Sequence, residues 1–188
     1  MTPVEKFTHA DLVALGRDWL IKSFSAMAPY GHGGCSVVIT EISANTWMGE
    51  KPDVIGFCNK KSILIECKTS LSDFNADKNK PFRKLSENGM GCQRWYLAPQ
   101  GIIPTDKVPE KWGLLEVSSE YGEILVIKKP ELQERNYDSE INILLSVMRR
   151  LKISKKDEHI GIKRYQKLNG FGESKKKAEF FIQEDVKK

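Results

Sequence analysis

Long apolar runs are missing from this 188-residue chain; the longest, around residues 62–65, span only a few positions, so no segment is expected to cross a bilayer. The opening MTPVEKFTHADL has neither the basic start nor the apolar middle of a secretory leader, so a cytoplasmic location is expected. Cysteine is scarce. Cys35, Cys58, Cys67 and Cys92 form no C-x-x-C pair, and no His pair follows at zinc-finger spacing. They read as free thiols in a reducing compartment; a zinc-stabilised interaction module built on all four is an alternative that the spacing does not favour. Internal repeats and low-complexity stretches are also missing. Charge excess is absent from most of the chain: residues 1–150 hold 19 basic and 19 acidic side chains, whereas residues 151–188 hold 11 and 6. A basic tail on a neutral body either grips phosphate backbones without reading sequence or is an ordinary solvated end.

What is present is a regular alternation of elements. A helix is expected over about 10–27, capped by Thr8 with Asp11 completing a capping box, and with Leu12, Leu15, Trp19, Leu20 and Phe24 on one face. Three strands follow, at about 36–42 (SVVITEI), 53–58 (DVIGFC, after Pro52) and 62–68 (SILIECK); the last two are joined by a short polar hairpin loop. Ser70 caps a second helix over about 71–79, with Asp73 at its third position. A fourth strand is expected at 93–98, a hairpin at 114–117 and 123–128, a helix at about 139–152 and a short helix near 174–183. This order predicts an α/β fold with a mixed central sheet flanked by helices. Two regions are expected, a core domain over 1–130 and a helical, Lys-rich extension over 131–188.

The chemistry concentrates in Pro52-Asp53, twelve further residues, then Glu66-Cys67-Lys68. Alternate residues of a strand share a face, so Glu66 and Lys68 point one way and Cys67 the other. Ile63, Leu64 and Ile65 are apolar on both faces, which marks a buried central strand. Charged groups at its end need compensation. The hairpin brings Asp53 beside Glu66. Two adjacent carboxylates both ionise readily only with a cation between them, and oxygen donors of this type suit Mg²⁺, with Mn²⁺ able to substitute. Lys68 would then orient or help deprotonate a water, or offset charge on a phosphorane. The plainer alternative is a buried Glu66–Lys68 salt bridge with Asp53 as a turn residue, although such pairs are poor sources of stability.

The run PDVIGF…SILIECKTS resembles the PD-(D/E)xK motif of the restriction-endonuclease-like nuclease superfamily. The blocks ECKTSLSDFNADKNKPFR, QRWYLAP and VPEKWGLLEV look like the MmcB-type family of DNA-repair nucleases, over roughly residues 41–127. The resemblance implies a restriction-endonuclease-like core with an added C-terminal β-hairpin and helices. It implies metal binding by Asp53, Glu66 and the Cys67 backbone carbonyl, and a catalytic amine on Lys68. It assigns the superfamily's upstream acidic residue best to Glu41; Glu5, Asp11 and Asp18 suit a solvated helix face instead. Gln93 matches a Gln that some relatives carry on the strand after the second helix. Asp73 and Asp77 match a D-F-x-x-D block, although a helix cap for Asp73 and a solvated face for Asp77 are the favoured readings.

Lys78, Lys80, Arg83, Lys84 and Arg94 lie in a stretch opposed only by Glu87, and are expected to grip phosphates beside the carboxylate site. Trp47 could touch a base or simply pack. The expected activity is therefore Mg²⁺-dependent hydrolysis of DNA, in repair, restriction or phage DNA processing, with DNA as partner, no membrane partner, and a homodimer as one possible state. The alternative is a non-catalytic adaptor, including a phage-type inhibitor, that reuses the nuclease fold.

Overall fold

The structure, a computed structural model, describes residues 7–22, 34–58, 61–118 and 122–151. The chain divides into two compact units, Met1–Ile143 and Leu144–Lys188, and the sheet lies in the first. The expected short helix near 174–183 lies outside the described residues.

Helix α1 (His9–Ile21) starts as the sequence dictates: Thr8 accepts from the Asp11 N–H, and Asp11 reaches back to the Thr8 backbone. It ends at Ile21, short of the expected residue 27, and residues 23–33 are not described. Three antiparallel strands follow, β1 (Val37–Thr40), β2 (Val54–Cys58) and β3 (Lys61–Cys67). Helix α2 (Leu71–Lys78), capped by Ser70, carries the chain across to β4 (Gln93–Pro99), which runs parallel to β3. A parallel neighbour requires such a crossover. The helix does not continue past Pro81; two short 3₁₀ turns, Pro81–Arg83 and Ser86–Asn88, take over. Strand β5 (Trp112–Val117) pairs parallel to β4, and β6 (Ile124–Lys128) closes the sheet antiparallel to β5.

The result is the expected mixed sheet, with six strands in the order β1-β2-β3-β4-β5-β6. The C-terminal hairpin does not stand apart from the core; it is continuous with the main sheet. Helix α1 covers one face, where Leu12, Trp19 and Leu20 pack on Val54, Ile63, Ile65, Trp95, Leu97 and Leu115. Trp19 and Trp95 meet edge to face at 5.4 Å. Alternation sends Leu64, Glu66, Tyr96 and Leu114 to the other face. There Phe74 of α2 packs edge to face on Tyr96, which in turn stacks on Trp112 at 4.4 Å.

Helix α3 (Tyr137–Arg150) begins within the first unit. Its Glu140 accepts from Ser62 Oγ (2.6 Å) and the Gly91 N–H (2.9 Å), and Ile143 is fully buried. Leu144 is half-buried, and Ile141, Leu145 and Met148 are exposed.

Candidate active site

Val54 pairs with Ile65, so Asp53 and Glu66 are the next rung, at the rim where β2 begins. The ladder does not simply stop there. Asp53 Oδ2 accepts from the Cys67 N–H at 2.8 Å, taking the place of the missing strand carbonyl, while the Asp53 carbonyl accepts from the Glu41 N–H at 3.0 Å. Burial and the facing Glu66 carboxylate push the Asp53 pKa up to about 6, against the opposing pull of the Cys67 N–H, Lys68 and His9. In a strand a residue's N–H and C=O face the same neighbour. The Cys67 carbonyl therefore faces the same rim as Asp53.

Lys68 shares the face of Glu66, as expected from alternation, with Nζ at 3.2 Å from Glu66 Oε2. Its side chain is 5% exposed. Burial alone would lower its pKa; Glu66, Asp77 and Asp53 outweigh burial and hold it above its ordinary value. Lys68 is accordingly an ammonium at neutral pH.

Two residues that the sequence placed elsewhere complete this arrangement. Arg83, expected on a phosphate-gripping surface, has a side chain only 4% exposed. Its guanidinium joins three carboxylates: Glu50, Asp77 (Nε–Oδ2 3.0 Å) and Glu66 (Nη2–Oε1 2.8 Å). The contact to Glu66 lacks hydrogen-bond alignment and is an electrostatic one. The guanidinium also lies over the rings of Phe82 and Trp112. Asp77 is wholly buried rather than on a solvated face. It receives Lys68 at 3.5 Å, Lys80 at 2.7 Å and the Tyr96 hydroxyl at 3.0 Å. Burial would raise its pKa, but Arg83 and Lys68 dominate and hold it well below the usual carboxylate range. Glu50, unremarked in the sequence, is 1% exposed and accepts from the Met90 N–H at 2.8 Å. Burial lifts its pKa despite Arg83.

Other expected site residues separate. Gln93 pairs with Ile63, three rungs from Glu66, so it does not reach the carboxylates; Tyr96 stands beside Glu66 instead. Arg94 is 1% exposed, and its guanidinium donates to the carbonyls of Ser86, Gly89, Met90, Gly91 and Glu134. Burial lowers its pKa to about 10. Neither Arg83 nor Arg94 presents its charge to solvent. Lys78 lies over the Phe74 ring and donates to the Lys107 carbonyl, and Lys84 is exposed. Trp47 is half exposed. Asp73 lies at the α2 cap, where its N–H donates to Ser70.

Glu41 and His9 lie on the outer side of Asp53. Glu41 turns sharply out of β1 with φ 47°, a left-handed conformation unusual for a side-chain-bearing residue. His9, the first residue of α1, holds Nε2 at 3.5 Å from Asp53 Oδ1 and 3.8 Å from Glu41 Oε1. The four cysteines are free thiols.

The donor chemistry at this rim, carboxylate oxygens plus a backbone carbonyl, fits a hard divalent cation. Burial, and after it repulsion by Glu66, lifts the Asp53 pKa, and the repulsion is what such an ion would relieve. Among the described residues no three His, Cys, Asp or Glu side chains already close on one ion position. Glu66 instead directs one oxygen at Lys68 and the other at Arg83. Among the described residues no helix is long and apolar enough to cross a membrane.

No family model matches the chain, and no curated protein matches it. A solved structure similar to it is the SPO1766 protein of unknown function from Silicibacter pomeroyi, 22% identical over 65% of this chain and 82% of that one, with a TM-score of 0.44.

Proposed function

We propose that this chain is a divalent-metal-dependent nuclease that hydrolyses DNA phosphodiester bonds. One observation carries the reading: Asp53 and Glu66 occupy facing positions at the rim of β2 and β3, with Lys68 on the same face and paired to Glu66. Asp53, Glu66 and the Cys67 carbonyl would hold Mg²⁺ or Mn²⁺. The ion would polarise the phosphoryl group and lower the pKa of a bound water.

The remaining work belongs to the chain itself. Lys68, held as an ammonium, offsets the charge that develops on the phosphorane. Arg83 and Asp77 fix Glu66 and Lys68 from behind, so neither has to be organised when substrate arrives. Lys78, Lys80 and Lys84 contact the phosphate backbone, which positions DNA without reading sequence. A cytoplasmic role in repair, restriction or phage DNA processing, and a dimer that cuts both strands, extend the same proposal.

The test is cleavage of linear, circular, single-stranded and branched DNA with and without Mg²⁺. Asp53→Asn, Glu66→Gln and Lys68→Met are each expected to reduce the rate by about a hundredfold or more, with circular dichroism unchanged. Three variants cutting as fast as the parent would remove the assignment.

A second reading, a non-catalytic adaptor on the same fold, draws on one feature: Glu66 is neutralised internally by Lys68 and Arg83. An adaptor predicts no heat on titrating millimolar Mg²⁺ or Mn²⁺; the nuclease predicts binding that Asp53→Asn weakens.

A further inference from the structure

We propose that the outer edge of β6 pairs antiparallel with β6 of a second copy of this chain, joining two six-stranded sheets into one. The seam lies three strands from Glu66 and is independent of the chemistry there.

An open strand edge is a template for pairing, and proteins usually blunt it with a charge, a proline, a bulge or a kink. The two edges of this sheet differ in that respect. β1 is four residues long, and Glu41 turns the chain away directly after it with φ 47°. β6 ends the sheet on the other side with five residues, ILVIK. Its one charged residue, Lys128, does not guard the edge: its amine donates to the carbonyls of Val108 (3.1 Å) and Pro109 (2.8 Å). The irregularity in the β5–β6 pairing falls beyond Val126, so Ile124 to Val126 stay in regular register with Val117 to Leu115.

The Ser118 N–H donates to the Glu123 carbonyl at 2.9 Å, so the Glu123 backbone faces β5. Alternation then turns the N–H and C=O groups of Ile124 and Val126 outward. Among the described residues no strand pairs with them. A second copy related by a two-fold axis sets Ile124 opposite its Val126, satisfies both outward pairs and places Leu125 opposite itself. Ile124 and Val126 pack on the core, while Leu125 and Ile127 are 40% and 43% exposed on the other face. Across the seam these exposed side chains from both copies form one apolar cluster. Charge selects the orientation. Each strand begins at the exposed Glu123 and ends at Lys128-Lys129, so an antiparallel copy brings acidic start to basic end twice, whereas a parallel one opposes like charges. The strand is thus complementary to itself, as an isologous interface requires.

Sedimentation of the full chain from about 1 to about 300 µM is expected to show a reversible monomer–dimer equilibrium, as so small a seam predicts. Leu125→Lys faces Glu116 in its own sheet, so the monomer should keep its circular dichroism and urea midpoint. At the two-fold, however, it opposes two lysines, and dimerisation should weaken by about tenfold or more. Single cysteines read the register. With oxidised glutathione, Leu125→Cys is expected to give a disulfide-linked dimer above the background of the parent. Ile127→Cys should give none, because its two copies lie roughly 13 Å apart along the seam. A monomer throughout the concentration range overturns the proposal. So does a dimer that Leu125→Lys leaves intact, or one linked through Ile127→Cys and not through Leu125→Cys.

Discussion

Arg83 lies in a basic stretch, between Lys78 and Lys84, yet faces three carboxylates from three separate segments. Charge along a sequence does not reveal which side of the backbone is covered, and here the covering comes from Phe82 and Trp112. Asp53 is the opposite case, a residue whose neighbours in space were legible because the hairpin that creates them is local. Its raised pKa fixes the sign of a pH effect. A carboxyl whose folded pKa lies above its unfolded value contributes stability that is full below about pH 4 and is lost as pH rises through about 6. Without metal, ionised Asp53 should therefore destabilise the protein at pH 8 by on the order of 2 kcal/mol. Asp53→Asn keeps an acceptor for the Cys67 N–H and removes the charge. In a chelating buffer its thermal midpoint is expected to exceed that of the parent at pH 8 and to converge with it near pH 4. A variant less stable than the parent at both pH values would contradict the burial and repulsion assigned to Asp53. Glu66 and Lys68 were readable from alternation on one strand. Glu50 and His9 were not, since each reaches the site through packing of elements distant in sequence. Asp77 did carry a signal: it follows Phe74 at helical spacing, so the two share the buried face of α2.

At the scale of elements, apolar alternation and turn residues gave nearly every strand to within a residue or two. Strand ends drifted because the hydrogen bonding runs one residue past each end, through the Asp53 side chain at β2 and the Lys68 N–H to the Leu97 carbonyl at β3. Helix α1 was expected to be longer than it is. The first turn of α3 is anchored by polar contacts of Ser139 and Glu140, which hydropathy does not register. One pairing decides how β4 and β5 fit together. Gly113 lies beside Trp95, and a Cβ there would come within 2.3 Å of the indole ring. The ring also meets Trp19 edge to face at 5.4 Å. Gly113→Ala is therefore expected to destabilise the fold by about 1–3 kcal/mol or more, seen as a lower urea midpoint. An unchanged midpoint would mean that the indole can move, contrary to its tight packing.

At the scale of the molecule, the expected order of helix, three strands, helix, strand, hairpin and helix is the one observed among the described residues, in a mixed sheet. Residues beyond β6 tie to the segment that leads into β4: the Gln133 N–H donates to the Cys92 carbonyl, and the Asn136 N–H to the Gly89 carbonyl. The overall charge of +5 comes from residues 151–188. If that tail holds DNA, neutralising Lys175, Lys176 and Lys177 as glutamines in the full chain should flatten the slope of log affinity against log salt by up to about 3. A slope equal to that of the parent identifies the tail as a solvated end.

Arg94 has a consequence for how this protein comes apart. Its guanidinium ties carbonyls from residues 86 to 91 and from Glu134 to the middle of the sheet. Peeling that irregular segment away would strand a cation in an apolar interior, so amide protons of Gly89 to Gly91 should exchange only when β4 itself opens. A stretch that looks like a loop thus belongs, in its unfolding behaviour, to the strands.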